Sequence, residues 1–280
     1  MTRPELFFLF KKYHLNPNKV RGQNFLLDEA VLKKICQAAD LNKDDLVLEI
    51  GPGLGALTKY LSEQAGQVVA WELDKNFREP LNKLAQVSGN IEIQWQDILS
   101  LDFRQWQEIM TAKNKQTYKV VANIPYYISA KLINKFILMQ PQAASLTLLV
   151  QEEVAERVVG TKKNSLLSLS VAFYGQSKII DYVAKESFYP VPQVDSAILH
   201  IYHLKPWSYP IEERRLWQLI RRGFASKRKK LANNLASDPD ISKESVQQAL
   251  AKINLDSNIR AEDLSPAHWI SLGADLIKVD

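Results

Sequence analysis

Between about residues 44 and 151 the chain repeats one alternation, a short β-branched apolar run followed by a stretch with helical spacing. The runs are "DLVLEI" (45–50), "QVVAWEL" (67–73), "IEIQWQ" (91–96), "YKVVAN" (118–123) and "SLTLLVQ" (145–151). Strands separated by helices need crossover connections, and right-handed crossovers build a doubly wound parallel sheet. A helical pattern follows over 152–174, and then two more strands, "KIIDYVA" (178–184) and "SAILHIYHL" (196–204), joined by the proline-rich "FYPVPQVD". The prolines of "KPWSYP" (205–210) interrupt both periodicities, and residues 211–280 carry only helical patterns. The spacing therefore predicts an α/β domain over 1–207, with an N-terminal arm, and a small all-helical domain over 208–280. The chain's 280 residues, 46% of them hydrophobic, suffice for one large core and one small one.

Four strands end on residues of one character: Gly51 opens "GPGLG", Glu72 stands in "WELD", Asp97 in "WQD", and Asn123 opens "NIPYYIS". In a parallel sheet these ends share one edge, and ligands of open α/β sheets bind outside it. Singly, each acid reads as a solvated helix N-terminal residue and Asn123 as a cap. Jointly they read as one site. Gly51, Gly53 and Gly55 remove side chains where backbone approaches a ligand, and Glu72 follows Gly51 by 21 positions. That is close to the roughly 20-residue spacing that brings a carboxylate to ribose hydroxyls. The spacing is G-x-G-x-G, lacking the dinucleotide fingerprint, and no Gly-Lys-Ser/Thr holds a triphosphate. A cofactor with a ribose and a base but no pyrophosphate fits, and S-adenosylmethionine answers that description, with Glu72 accepting from the ribose and Asp97 from the adenine amine.

"NIPYYIS" (123–129) then supplies an amide, a rigid turn and an aromatic face. An exocyclic amine of a base is a poor nucleophile because its lone pair is delocalised. The Asn123 side-chain oxygen and the Ile124 carbonyl, accepting from the amine hydrogens, favour a pyramidal nitrogen aimed at a methyl group. Pro125 stiffens the turn, and the Tyr126 ring offers a platform for a flat base. No dedicated general base is needed.

With "GQNFL" (22–26), "EIGPGLGALT" (49–58), "QEEVAERVVG" (151–160), "FYPVPQVDSAI" (188–198) and "FASKRKKLANNL" (224–235), these motifs resemble the small-subunit ribosomal RNA adenine dimethyltransferase family, in order over nearly the whole chain. The resemblance implies a Rossmann-like S-adenosylmethionine-dependent methyltransferase domain followed by a helical RNA-binding domain. It implies transfer of two methyl groups to each of two adjacent adenosines in a hairpin near the 3' end of the small-subunit RNA. Asn24 and Leu26 would line the cofactor site with Gly51, Gly53, Glu72, Asp97 and Asn123. Phe188 would close the face of the flipped adenine opposite Tyr126. Tyr127 stands where many members have Asn, and Leu166 and Leu167 where a Tyr-Gly or Tyr-Ser pair is frequent.

Arg214, Arg215, Arg221, Arg222, Lys227, Arg228, Lys229 and Lys230 form a basic cluster. Beside a base-modifying site, Arg221, Arg222 and Lys227 to Lys230 are read as phosphate contacts with the small ribosomal subunit. Lys11, Lys12, Lys19 and Arg21 are read as a mobile arm over substrate and cofactor. Cys36, the only thiol, excludes an intrachain disulfide and reads as a small core residue. His200 and His203, three apart on a predicted strand, face opposite ways, so no metal is expected. Trp71 and Trp95 read as core, and Trp207 and Trp217 as docking the two domains. No apolar run reaches membrane-span length, and the protein is expected to be cytoplasmic and monomeric. Two rivals remain: a large-subunit methyltransferase of the antibiotic-resistance type, and an assembly factor that keeps the fold without catalysis. A nicotinamide oxidoreductase is disfavoured by the glycine spacing.

Overall fold

The computed structural model describes residues 1–18, 22–160 and 163–277. The chain forms two compact units, one of Met1–Ala155 with Gly175–Leu204, the other of Glu156–Tyr174 with Lys205 onward. The first holds β1 (Phe25–Leu26), β2 (Leu46–Ile50), β3 (Gln67–Trp71), β4 (Ile91–Gln94), β5 (Lys119–Asn123), β6 (Ser145–Gln151), β7 (Gln176–Val183), β8 (Phe188–Tyr189) and β9 (Ser196–Tyr202). Seven of these make one sheet in the order β4-β3-β2-β5-β6-β9-β7, and β1 pairs with β8 apart from it.

Strands β2 to β6 are parallel, as the alternation requires, and are buried on both faces except at the half-buried edge strand β4. The chain runs outward from β2 to β4 and returns to β5 on the other side of β2, which sets the topological switch point between β2 and β5. Strand β9 inserts between β6 and β7 and runs antiparallel to both. The segment from β7 to β9 holds only a 3-10 turn, Lys185–Ser187, and β8, so it lacks the helix that a parallel crossover uses.

Register places the functional edge. Ile50 pairs with Trp71 and with Ala122, and Trp71 pairs with Gln94. The next residues along β2, β3 and β5, namely Gly51, Glu72 and Asn123, therefore stand level across the sheet, with Asp97 just beyond the end of β4. Strand β3 stops at Trp71, short of the expected Leu73, because the Glu72 carboxylate turns back to accept the Asp74 amide (2.7 Å).

The N-terminus departs from a mobile arm. Thr2 and Glu5 form a reciprocal capping box, and the helix Arg3–Lys12 buries Leu6 and Phe10 against Phe25, Phe77 and Leu81. Lys11 and Lys12 are exposed on its last turn. Lys19 and Arg21 lie outside the described residues.

In the second unit the helices Leu166–Tyr174, Glu213–Gly223, Lys243–Lys252 and Pro266–Leu276 supply a core that includes Leu216, Ile220, Leu250, Trp269 and Leu272. Residues 156–174 belong here, whereas periodicity grouped them with the strands. Lys205 donates its amide to the Tyr174 carbonyl (2.8 Å), and the Trp207, Tyr209 and Trp217 rings pack on Phe173 at 5.4, 5.5 and 5.6 Å. Trp207 and Trp217 thus join the linker and the first C-terminal helix to Phe173 inside one unit, the neighbour that chain order had assigned elsewhere. The stretch "SKRKK" (226–230) is turn, not helix. Asn234 Nδ2 donates to the Gly223 carbonyl (2.6 Å) and the Ser226 carbonyl (3.0 Å), which ends the preceding helix and holds the basic residues in a loop.

Candidate active site

The carboxyl edge of the sheet opens into a cavity of about 190 Å³ within the first unit. Its lining includes Asn24, Leu26, Gly51, Gly53, the acids Glu72 and Asp97, and Asn123, Ile124, Pro125 and Tyr126. Ten of the residues that sequence reading singles out, separated by up to a hundred positions, thus face one space.

The glycine loop makes this possible. Gly53 has φ +57°, and its amide donates to Glu72 Oε2 (3.0 Å), so the loop bends toward the acid at the end of the neighbouring strand. Gly55 has another task. It starts the helix Ala56–Gln64 at φ +81°, and a Cβ there would meet Leu84 Cδ2 at 2.6 Å, so this glycine permits packing more than ligand approach.

Glu72 is buried, and burial raises its pKa, opposed by the Asp74 and Gly53 amides that its carboxylate accepts. Glu49, at the end of β2, goes further. It is 1% exposed, its Oε2 has no hydrogen-bond partner, and burial, with Glu72 adding repulsion, pushes its pKa up to about 8. At neutral pH burial therefore favours the protonated form of Glu49. Asp97 is exposed at the cavity and accepts the Leu99 amide (2.9 Å) through one oxygen.

Asn123 donates Nδ2 to the Asn24 carbonyl at 3.4 Å, which leaves Oδ1 as the acceptor of that amide. Ile124 is anchored by its own amide to the Leu149 carbonyl (3.2 Å). The Tyr126 hydroxyl bonds to the buried Ser196 Oγ (2.8 Å), which ties the ring to the start of β9, and burial raises the phenol's pKa. Tyr127 is 61% exposed. Phe188 is the exception among the expected site residues. It is 2% exposed in the core behind Leu26, its partner in the β1–β8 ladder, and does not line the cavity.

Sequence reading passed over Glu49, Gln23, Gln96 and Ser196. All but Ser196 line the cavity, and Gln23 Nε2 donates to Asp74 Oδ2 (2.9 Å). All four sit inside quoted motifs, so adjacency to a motif was the available signal. In the helical unit Arg221, Arg222, Lys227, Arg228, Lys229 and Lys230 are all exposed. Arg222 pairs with Asp238, and Lys230 donates to Asn258.

Trp71 is core, edge-on to Trp106 (6.0 Å), whereas Trp95 is half-buried beneath the Arg78 guanidinium (5.3 Å). Cys36 is fully buried, and burial pushes its thiol up to about 12. His200 shares a hydrogen bond with Thr147 (2.9 Å), and among the described residues no cluster of His, Cys, Asp and Glu has the makings of a metal site. Among them, too, no helix is long and apolar enough to cross a membrane.

A mostly parallel sheet whose switch point carries a glycine loop, with acids after the next two strands, defines an S-adenosylmethionine-dependent methyltransferase. A family model described as ribosomal RNA adenine dimethylase matches residues 14–278, and the chain belongs to that family. The chain is thus an S-adenosylmethionine-dependent methyltransferase that modifies adenine in ribosomal RNA. It is 37% identical over 261 residues to the ribosomal RNA small subunit methyltransferase A of Clostridium botulinum strain Kyoto, covering 92% of this chain and 93% of that one. The protein of the same name from Lachnoclostridium phytofermentans is 39% identical over 277 residues, covering 96% and 94%. Among solved structures, a dimethyladenosine transferase from Plasmodium falciparum superposes with TM-score 0.74 at 26% identity, covering 90% of this chain and 96% of that one. The 23S rRNA methyltransferase ErmE does so with TM-score 0.72 at 24% identity, covering 91% and 100%, which shows the shared fold.

Proposed function

We propose that this enzyme dimethylates two adjacent adenosines, at the exocyclic amine, in a hairpin near the 3' end of small-subunit ribosomal RNA, late in subunit assembly, acting as a cytoplasmic monomer without a membrane partner. The observation that carries the reading is the gathering of Glu72, Asp97, Asn123 and Tyr126 around one cavity. The small subunit is favoured because relatives at 36–39% identity carry that subunit in their names.

When bound, S-adenosylmethionine supplies an electrophilic methyl group. The cavity suits it: Gly53 leaves room beside the loop, Glu72 keeps lone pairs beyond the two amides it accepts, and Asp97 faces the space with a second oxygen. Glu72 then holds the ribose, Asp97 the adenine amine, and Asn24 and Leu26 the side wall. Tyr126 stacks on the target base, its ring steadied by Ser196. The Asn123 oxygen and the Ile124 carbonyl accept the amine's hydrogens and stabilise the positive charge growing on nitrogen. Phe188 acts from behind Leu26, stiffening the wall. Exposed Arg221, Arg222 and Lys227 to Lys230 meet phosphates as the helical unit's share of RNA binding.

The test incubates the protein with labelled S-adenosylmethionine and unmethylated small subunits, with large subunits in parallel, and identifies the modified nucleosides. Dimethyladenosine in the small subunit alone is expected. Label only in the large subunit, or none despite cofactor binding, overturns the reading.

A further inference from the structure

Within the helical unit a second cavity, of about 410 Å³, is built from segments remote in sequence. Its apolar surface includes Leu166, which is 41% exposed, and the half-buried Phe224, whose ring is stacked on Trp269 (6.1 Å, 29°). Arg157 and Lys227 stand on its polar side, and Lys227 begins the exposed run that continues through Lys230. By formal charge the lining holds two cations and one acid, Glu262, which is itself paired with Lys163. The walls are fixed in advance: the Asn164 amide donates to the Glu262 carbonyl (2.8 Å) and its Nδ2 to the Leu264 carbonyl (2.9 Å).

A rigid concavity that pairs an exposed leucine and an aromatic ring with two cations suits an anionic ligand with a flat apolar face. We propose that this cavity holds one unpaired nucleotide of the RNA, other than the adenosine that is methylated, its base against Leu166 and Phe224 and its phosphate met by Arg157 and Lys227. It would be a site that reads RNA shape by accepting a splayed base, as single-stranded recognition does. The proposal rests on the reading of ribosomal RNA as substrate and adds a second contact point to it.

The test uses the full chain with unmethylated small subunits as the probe. Leu166→Glu puts a carboxylate where the base would lie, at a site exposed enough to leave folding intact, and Val87→Glu, at an 80% exposed position of the other unit, controls for the charge. Leu166→Glu is expected to raise the KM for subunits about tenfold, with kcat and cofactor Kd within about twofold, and Val87→Glu to change neither. Ultraviolet crosslinking of the wild-type complex is expected to attach a nucleotide to the peptide holding Leu166 or Phe224. A KM for Leu166→Glu no different from that for Val87→Glu overturns the proposal, as does a crosslink from this peptide to a subunit protein in place of RNA. Absence of methylation by the wild type sinks the functional reading instead, and a nucleotide crosslinked at Leu166 still upholds the pocket.

Discussion

Asn123 and Glu49 show how much a single side chain's surroundings decide. The amide of Asn123 donates to the Asn24 carbonyl, which leaves its oxygen as an acceptor at the cavity. In the proposed mechanism that oxygen acts on charge that develops only during transfer, so Asn123→Ala should lower kcat by about a hundredfold or more, while cofactor and RNA affinities stay within a few-fold. Single-turnover methylation beside equilibrium binding reads the split, and equal loss of both would remove the role. Glu49 is buried without a partner for Oε2, and its pKa lies near 8 against an ordinary 4.5. Folding therefore takes up a proton at this site. Its contribution to stability is full below about 4.5 and is lost as pH rises through about 8. Urea unfolding across that window should show wild-type stability falling relative to Glu49→Gln, which has no proton to lose; parallel curves would contradict a neutral Glu49.

At the scale of elements, the helix Ala56–Gln64 starts from Gly55, whose left-handed φ strains any other residue and whose added Cβ would push the tip of the half-buried Leu84 aside. Gly55→Ala should cost about 1–2 kcal/mol, the left-handed penalty, and displace the glycine loop. Chemical denaturation measures the first effect and cofactor titration the second. The helix Leu166–Tyr174 has a comparable part in the second unit, because Phe173 is the ring on which Trp207, Tyr209 and Trp217 converge. Phe173→Ala removes that fully buried ring and should cost about 3–5 kcal/mol of stability. Urea unfolding of the full chain, followed by circular dichroism, measures the loss.

Over the whole molecule a formal charge of +5 is modest, so distribution governs RNA binding. The loop 226–230 concentrates Lys227 and Arg228 in exposed positions. Lys227→Ala with Arg228→Ala should weaken binding to small-subunit RNA and flatten the plot of log affinity against log salt by about 1 to 2 units, each lost phosphate contact removing somewhat under one. An unchanged slope would place the contacts elsewhere. The sequence by itself determined the succession of β2 to β6 along the chain, their parallel direction and the residue types at their ends and in the loop after β5, because strand and helix periods are local and a parallel sheet lines its ends up on one edge. Tertiary structure alone decided that β9 runs antiparallel, that Phe188 lies behind Leu26, that Glu49 is buried, and that Leu166 and Phe224 share a cavity. Each of these depends on which distant segments exclude water from one another, and no local pattern of residues encodes that.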